Sequence, residues 1–197
     1  MGRASARSVE EKIKRLLREI TEIDEHFYHQ SRTTDRDLYA GMLERKRDDV
    51  IRVAVLQMHT AIEDILDQQI MCRILGTTSE NVRRTRSRAA RALRRILMDA
   101  DGIGFERKLN LAVALRIMTI RRSERLRVLN ALRNKCSHHW LLRVPVRRGR
   151  RPRQLKPPLL RYEGRDLHSI PPFKDFLAEF GRLYAKMFAE YLDYGTT

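Results

Sequence analysis

Leu126-Arg-Val-Leu-Asn-Ala-Leu-Arg-Asn-Lys-Cys-Ser-His-His-Trp140 sets Leu126, Leu129, Leu132 and Cys136 at steps of three, three and four. Steps of that length keep side chains on one face of a helix, so the stretch is predicted to be helical with a single apolar side. Its polar side carries Arg133, Asn134, Lys135, His138 and His139. Arg133 and His138 stand five positions apart, and Asn134 follows the arginine directly.

The same periodicity extends through the rest of the chain. Upstream, Ser8 and Glu11 have the spacing of a capping box. Val9, Ile13, Leu16, Ile20, Ile23 and Phe27 then repeat at alternating steps of four and three, a seam that suits a coiled coil or packing on its own domain. A second helix is predicted from Thr34 or Asp35 to Leu75, closed by Gly76 in the left-handed conformation, with a break allowed in its charged middle, Glu44 to Asp49. Val50, Val53, Ala54, Ala61, Ile62, Ile65, Leu66 and Ile70 form its apolar side, and Glu63 and Asp64 fall between them as solvated or ion-paired residues.

Ser79 to Met98 reads as one helix with Val82, Ala89, Leu93, Ile96 and Leu97 inward and seven arginines on the remaining surface. Asp101-Gly-Ile-Gly is a turn. Phe105 opens a fourth helix that continues through Leu111, Ala112, Leu115 and Ile117, and Ser123 with Glu124 caps the fifth. All six prolines lie between Pro145 and Pro172, and Arg143 to Arg165 holds nine basic residues against one acid, Glu163. This interval is therefore an extended loop, in which Tyr162 could stack on a base. Phe173, Phe176, Leu177, Phe180, Leu183, Tyr184, Met187, Phe188 and Tyr191 form a last apolar stripe.

No strand pattern of any length appears, and the expected fold is all-α, a bundle of about five to six helices with a basic loop before the last one. The expected organisation is an N-terminal amphipathic helix over 1–33 that could serve as an interface, a bundle core over 34–142, the basic Pro/Arg-rich loop over 143–172, and a C-terminal helix over 173–192.

Composition narrows the function. The 197 residues suffice for one domain that buries about 70% of its unfolded surface. Forty-one basic against 25 acidic residues give a net charge of +16, which favours a polyanionic partner, nucleic acid above all. Arginine outnumbers lysine 33 to 8, so a general arginine bias contributes to that balance. Cys72 and Cys136 lie far apart inside helical patterns and read as small buried hydrophobes in a reducing cytoplasm. No zinc or redox spacing is present. His26 and His29 could share an ion from one helix turn, but a solvated pair is the simpler reading. No apolar run spans a bilayer and no signal peptide is evident, so a soluble cytoplasmic protein with no metal or cofactor is expected.

The Arg/His pair suits metal-free RNA cleavage. A histidine with an ordinary pKa near 6.5 can take the 2′-hydroxyl proton, and a guanidinium can offset charge on the phosphoryl oxygens. Two copies would supply an acid and a base. At ~100° per residue, Arg133 and His138 lie about 140° apart around the helix axis, whereas Asn134 and His138 share a face. The pair shares a face only if the helix ends or distorts near the histidine; otherwise the long Arg133 side chain must reach around, or a second copy must contribute its arginine. A helix-end role is the alternative: histidine favours the C-terminal dipole, and Asn134 could bond backbone.

Arg133-Asn134 with His138, linked to the upstream block Phe105-Glu-Arg-Lys-Leu109, resembles the HEPN superfamily over about Phe105 to Trp140. The resemblance implies a dimer whose two motifs meet across a two-fold axis, and in many members a metal-independent ribonuclease. It implies phosphate stabilisation by Arg133, acid-base work by His138 and an orienting role for Asn134. His138 repeats the commonest spacing; His139 forms the Arg-x5-His spacing that the family also tolerates. Lys135 could contact phosphate or simply be solvated. RNA would be gripped by Arg143, Arg147, Arg148, Arg150, Arg151 and Arg153 of the loop and by Arg91 and Arg95. The expected partners are RNA, a second copy, and an antitoxin or regulatory protein in a toxin-antitoxin or phage-defence setting. The alternatives are a non-catalytic HEPN-like regulator or scaffold, and a helical nucleic-acid binder in which the Arg/His string is accidental.

Overall fold

A computed structural model describes residues 11, 14, 15, 18, 19, 21, 22, 36–99, 102–138, 145–146, 154–155 and 160–194. The fold is all-α. Its helices are α1 (Arg36–Leu75), α2 (Ser79–Arg84), α3 (Arg88–Met98), α4 (Phe105–Ala114), α5 (Ile120–His138) and α6 (Ile170–Leu192). Two short antiparallel pairs precede α6: β1 (Pro145–Val146) with β2 (Gln154–Leu155), and β3 (Arg161–Tyr162) with β4 (Arg165–Asp166). Two-residue strands are too short to show alternation, so the sequence held no signal for them. The seven described residues before α1 are helical, but the apolar positions of the predicted N-terminal seam lie outside the described residues, as do His26 and His29.

Two compact units divide the chain, residues 3–57 with 132–181 and residues 58–131 with 182–197, so each takes part of α1, α5 and α6. In the first unit, Val50, Ile51, Ala54 and Val55 of α1 are buried, as are Leu132 and Cys136 of α5. So are Phe173, Phe176, Leu177 and Phe180 of α6. Tyr162 packs edge-on against Phe176 and Phe180, with centroids 5.8 and 6.2 Å away. The β3–β4 turn places Glu163 at φ 49° and Gly164 at φ 78°. Two consecutive left-handed residues make the tight turn whose twist matches a hairpin. Beyond it, Asp166 Oδ1 accepts from the His168 backbone N–H at 3.0 Å, and the His168 ring reaches Asp48 of α1. Helix α6 begins at Ile170, ahead of Pro171 and Pro172, because the first turn has no N–H bonds for proline to break.

In the second unit the core is built from Ile62, Ile65, Leu66, Ile70 and Met71 of α1, Leu109 and Ala112 of α4, Leu126 and Leu129 of α5, and Met187 and Tyr191 of α6. No break interrupts α1 in its charged middle. Gly76 at φ 58° ends it, and the Thr77 N–H donates back to the Cys72 carbonyl at 3.1 Å, which closes the last turn. Ser79 to Met98 is two helices rather than one. Thr85 leaves the helical region (ψ 117°), and Ser87 Oγ accepts from the Ala90 N–H at 3.1 Å, so a new helix starts with a new phase. That phase buries Ala90 and Leu97 and leaves Ala89 and Ile96 exposed, correcting two of the expected inward positions.

Helix α4 stops at Ala114, with Arg116 at φ 57° and the Ile117 N–H bonded to the Ala112 carbonyl at 2.9 Å. Helix α5 is capped by Thr119, whose Oγ1 accepts from the Arg122 N–H at 3.3 Å. Ser123, expected to be the cap, sits inside the helix and donates to the Ile120 carbonyl at 2.7 Å.

Candidate functional site

The last turns of α5 orient the motif. Leu132 and Cys136 are buried, which turns the neighbouring positions outward: Arg133 is half-buried, and Asn134 and Lys135 are exposed. Arg133 Nη1 donates to Asn134 Oδ1 at 3.1 Å. A guanidinium has five N–H donors in a planar fork, so this bond leaves most of the fork for an anion. His138 is the last described residue of the helix. Its side chain, and all of His139, lie outside the described residues.

The helix end is braced from α1. Cys136 lies in the last described turn of α5. The half-buried Arg52 donates Nη1 to the Cys136 carbonyl. A cation at the negative end of a helix dipole is itself favourable, so Arg52 both satisfies and anchors the turn that carries the motif. Arg52 gave no signal of this bracing beyond its place on α1.

Of the expected RNA-binding residues, Arg91 and Arg95 are exposed on α3. Arg143, Arg147, Arg148, Arg150, Arg151 and Arg153 lie outside the described residues. Val146 pairs with Gln154 across β1 and β2, so the last five of these arginines fall in the connection between the two strands. Tyr162 is not available to stack on a base. It is 1% exposed, enclosed by Phe176 and Phe180, and its hydroxyl donates to Glu179.

The Phe105–Leu109 block has a packing role in the second unit. The Phe105 ring lies 4.4 Å from the ring of His59. Lys108 is buried, and its Nζ sits 2.8 Å from both Glu63 Oε1 and Asp67 Oδ2. Burial pushes the Asp67 carboxyl up to about 6, against the pull of the Lys108 hydrogen bond. Burial alone would lower the Lys108 ammonium, but its hydrogen bonds to Asp67 and Glu63 outweigh that and raise it above 10.5. His59 continues the polar chain, with Nε2 3.2 Å from Asn130 Oδ1 and Nδ1 3.5 Å from Glu63 Oε2. Asn130 Nδ2 in turn donates to Glu106 Oε1 at 3.2 Å.

Among the described residues, sequence reasoning missed two buried histidines. His59 had a signal, since it stands at steps of four and three between Val55 and Ile62 on the inward stripe. His168, with Nδ1 3.1 Å from Asp166 Oδ1 and Nε2 bonded to Asp48, had none, because Asp48 is distant in the chain. Among the described residues no group of three His, Cys, Asp or Glu could hold a metal ion, and no helix is long and apolar enough to cross a membrane. An open cleft of about 720 Å³ in the second unit, lined by Arg73, Thr77, Thr78, Asn81, Glu190 and Asp193 among others, contains none of the motif residues. Compared with known protein families, curated proteins and solved structures, the chain matches none of them.

Proposed function

We propose that this chain is a metal-independent endoribonuclease of the HEPN type, working as a dimer. The observation that carries the reading is the presentation of Arg133 and Asn134 on the outward side of the last described turns of α5, with the Arg133 guanidinium bonded to Asn134. The reading assigns one histidine the proton of the 2′-hydroxyl. The freed oxygen attacks the adjacent phosphorus, and the bond to the 5′ oxygen breaks. The partner copy's histidine protonates that leaving oxygen, giving a 2′,3′-cyclic phosphate and a 5′-hydroxyl end. The Arg133 fork would stabilise the charge gathering on the non-bridging oxygens. Asn134, already bonded to the guanidinium, would fix its direction. An isologous dimer would bring both motifs into one cleft.

Arg133→Ala and His138→Ala test the assignment. Each is expected to abolish cleavage while leaving the helical content and the dimer intact; Arg133 is half-buried and outside the core. Cleavage that survives both substitutions would remove the motif from the chemistry. In a toxin or phage-defence setting, expression is expected to arrest growth, and either substitution to relieve the arrest. The bracing of α5 by Arg52 and the Arg133–Asn134 bond also suit a non-catalytic regulator or scaffold. That reading predicts that the same two variants change only stability or partner choice.

A further inference from the structure

Helix α3 turns a different kind of surface to solvent from the rest of the second unit. Between Glu80 and Asp99 the chain holds seven arginines and no acidic residue. Their placement divides them into two groups. Arg94 is structural: Nη2 donates to the Val82 carbonyl at 2.6 Å and Nη1 to the Thr85 carbonyl at 3.0 Å, filling the open end of α2 and fixing α3 against it. Arg88, Arg91 and Arg95 are exposed, and among the described residues none has an ion pair or a side-chain hydrogen bond.

The phase of α3 explains this division. Ala90 and Leu97 are buried and define the inward direction. At ~100° per residue, Arg88 and Arg95 project almost opposite to them, and Arg91 lies within about 60°. At ~1.5 Å rise per residue, the three guanidiniums are spread along about 10 Å of the outer face. Ala92 and Ile96, the latter 51% exposed, flank them on one side and Met98, 41% exposed, on the other.

We infer that this outer face of α3 is a track for the sugar–phosphate backbone of RNA, an assignment that rests on the ribonuclease reading for the choice of RNA. Three unpaired arginine forks in a row match a ligand that repeats its negative charge along a line, and each fork can grip a phosphate through two N–H groups. The small and apolar flanks, Ala92 and Ile96, suit the sugar edges of such a strand. A lipid surface fits less well. An interfacial helix buries an apolar face in the bilayer, whereas α3 turns its apolar face into the protein and sets arginines along the centre of the outer one. Contacts of this kind are sequence-tolerant, so the face would hold many RNAs alike and leave specificity to the motif.

The test measures anisotropy of a 5′-labelled single-stranded RNA across a salt series, in a His138→Ala background so that the probe stays whole. The variant Arg88→Gln/Arg91→Gln/Arg95→Gln is compared with Arg73→Gln/Arg107→Gln/Arg121→Gln, three exposed arginines off α3 that remove the same total charge. The α3 variant is expected to reduce the slope of log affinity against log salt by about 2 and to weaken binding at 0.1 M salt roughly tenfold to a hundredfold. The control variant is expected to change the slope by less than half as much. Melting curves keep the test valid, because the three exposed side chains make no described contact whose loss would unfold the protein.

Equal slopes for the two variants would overturn the track, since charge anywhere would then serve. So would unchanged RNA binding with lost binding to phosphatidylserine vesicles, which would make the face a membrane contact. Cleavage in the wild-type background separates the two readings. A track predicts a raised KM with kcat retained at saturating RNA. Binding lost in the α3 variant of a protein that never cleaves would keep the track and remove the nuclease.

Discussion

Lys108→Met is the most informative perturbation of the scaffold, because it removes one cation and leaves its two carboxylates in place. The Lys108 side chain is 4% exposed and Asp67 6%, while Glu63 at 31% still reaches water. Taking away one partner of a buried ion pair costs about 3–5 kcal/mol, most of it from the charge left unpaired. At about 2–4 °C per kcal/mol for a chain of this size, the melting temperature should fall by roughly 10 °C at pH 7.

The pH dependence gives a second readout. The folded pKa of Asp67, about 6, lies above its ordinary 3.8, so the folded state holds the proton more tightly. Its contribution to stability is therefore present at low pH and is lost as pH rises through about 6. Without Lys108 the carboxyl rises further, so the loss in the variant should be smaller at pH 4.5 than at pH 7. At the alkaline end, Lys108 contributes stability below its ordinary 10.5 that is lost as pH rises above that value, and the variant should lack this decline. Lys108→Met/Asp67→Leu should recover more than half of the deficit, because it replaces the buried pair with apolar groups. Thermal melts followed by circular dichroism at the two pH values read all of this. A Lys108→Met protein within about 0.5 kcal/mol of wild type at pH 7, the range of ordinary surface changes, would refute the reasoning.

Three further outcomes follow from single residues. Arg116 holds a left-handed conformation at the end of α4, so Arg116→Gly should stabilise by about 1 kcal/mol and raise the melting temperature by about 2–4 °C; a lower value would mean that the arginine makes a compensating contact. Gly102→Ala should destabilise by about 1–3 kcal/mol, because its Cβ would stand 2.5 Å from the Ile96 carbonyl oxygen and 2.8 Å from that of Asp99. Burial pushes both cysteine thiols up to about 11, so a thiol reagent at pH 8 should label neither Cys72 nor Cys136 until denaturant is added; rapid native labelling would contradict their burial.

The fold was legible where apolar residues repeat over several turns. Leu126, Leu129, Leu132 and Cys136 are all buried, as are Phe173, Phe176, Phe180, Tyr184, Met187 and Tyr191. Local chemistry was harder to read. Thr85 and Ser87 break a basic stretch that looks continuous, and the signal is only that two hydroxyl residues stand where capping would suit them. Ser123 competed with Thr119 for the start of α5, and the cap went to the residue whose oxygen could reach an unbonded N–H.

Pairings between distant segments left no trace in the sequence. Arg52 with the Cys136 carbonyl, His168 with Asp48, and Lys108 with Glu63 and Asp67 depend on which helices meet. Tyr162 illustrates the same limit, since an aromatic in a basic loop reads as a base-stacking residue until Phe176 and Phe180 are seen to enclose it. At the motif, the sequence conveyed which residues share a face and which do not. It could not show that Arg133 would lean on Asn134.

The central claim is that the end of α5 cleaves RNA without a metal ion. End-labelled RNA incubated with pure protein in EDTA, beside the His138→Ala variant, tests it on one gel. The account predicts cleavage by the wild type alone, with 2′,3′-cyclic phosphate on the 5′ fragment and a free 5′-hydroxyl on the other. Intact RNA in both lanes, with both proteins binding it, would contradict the account.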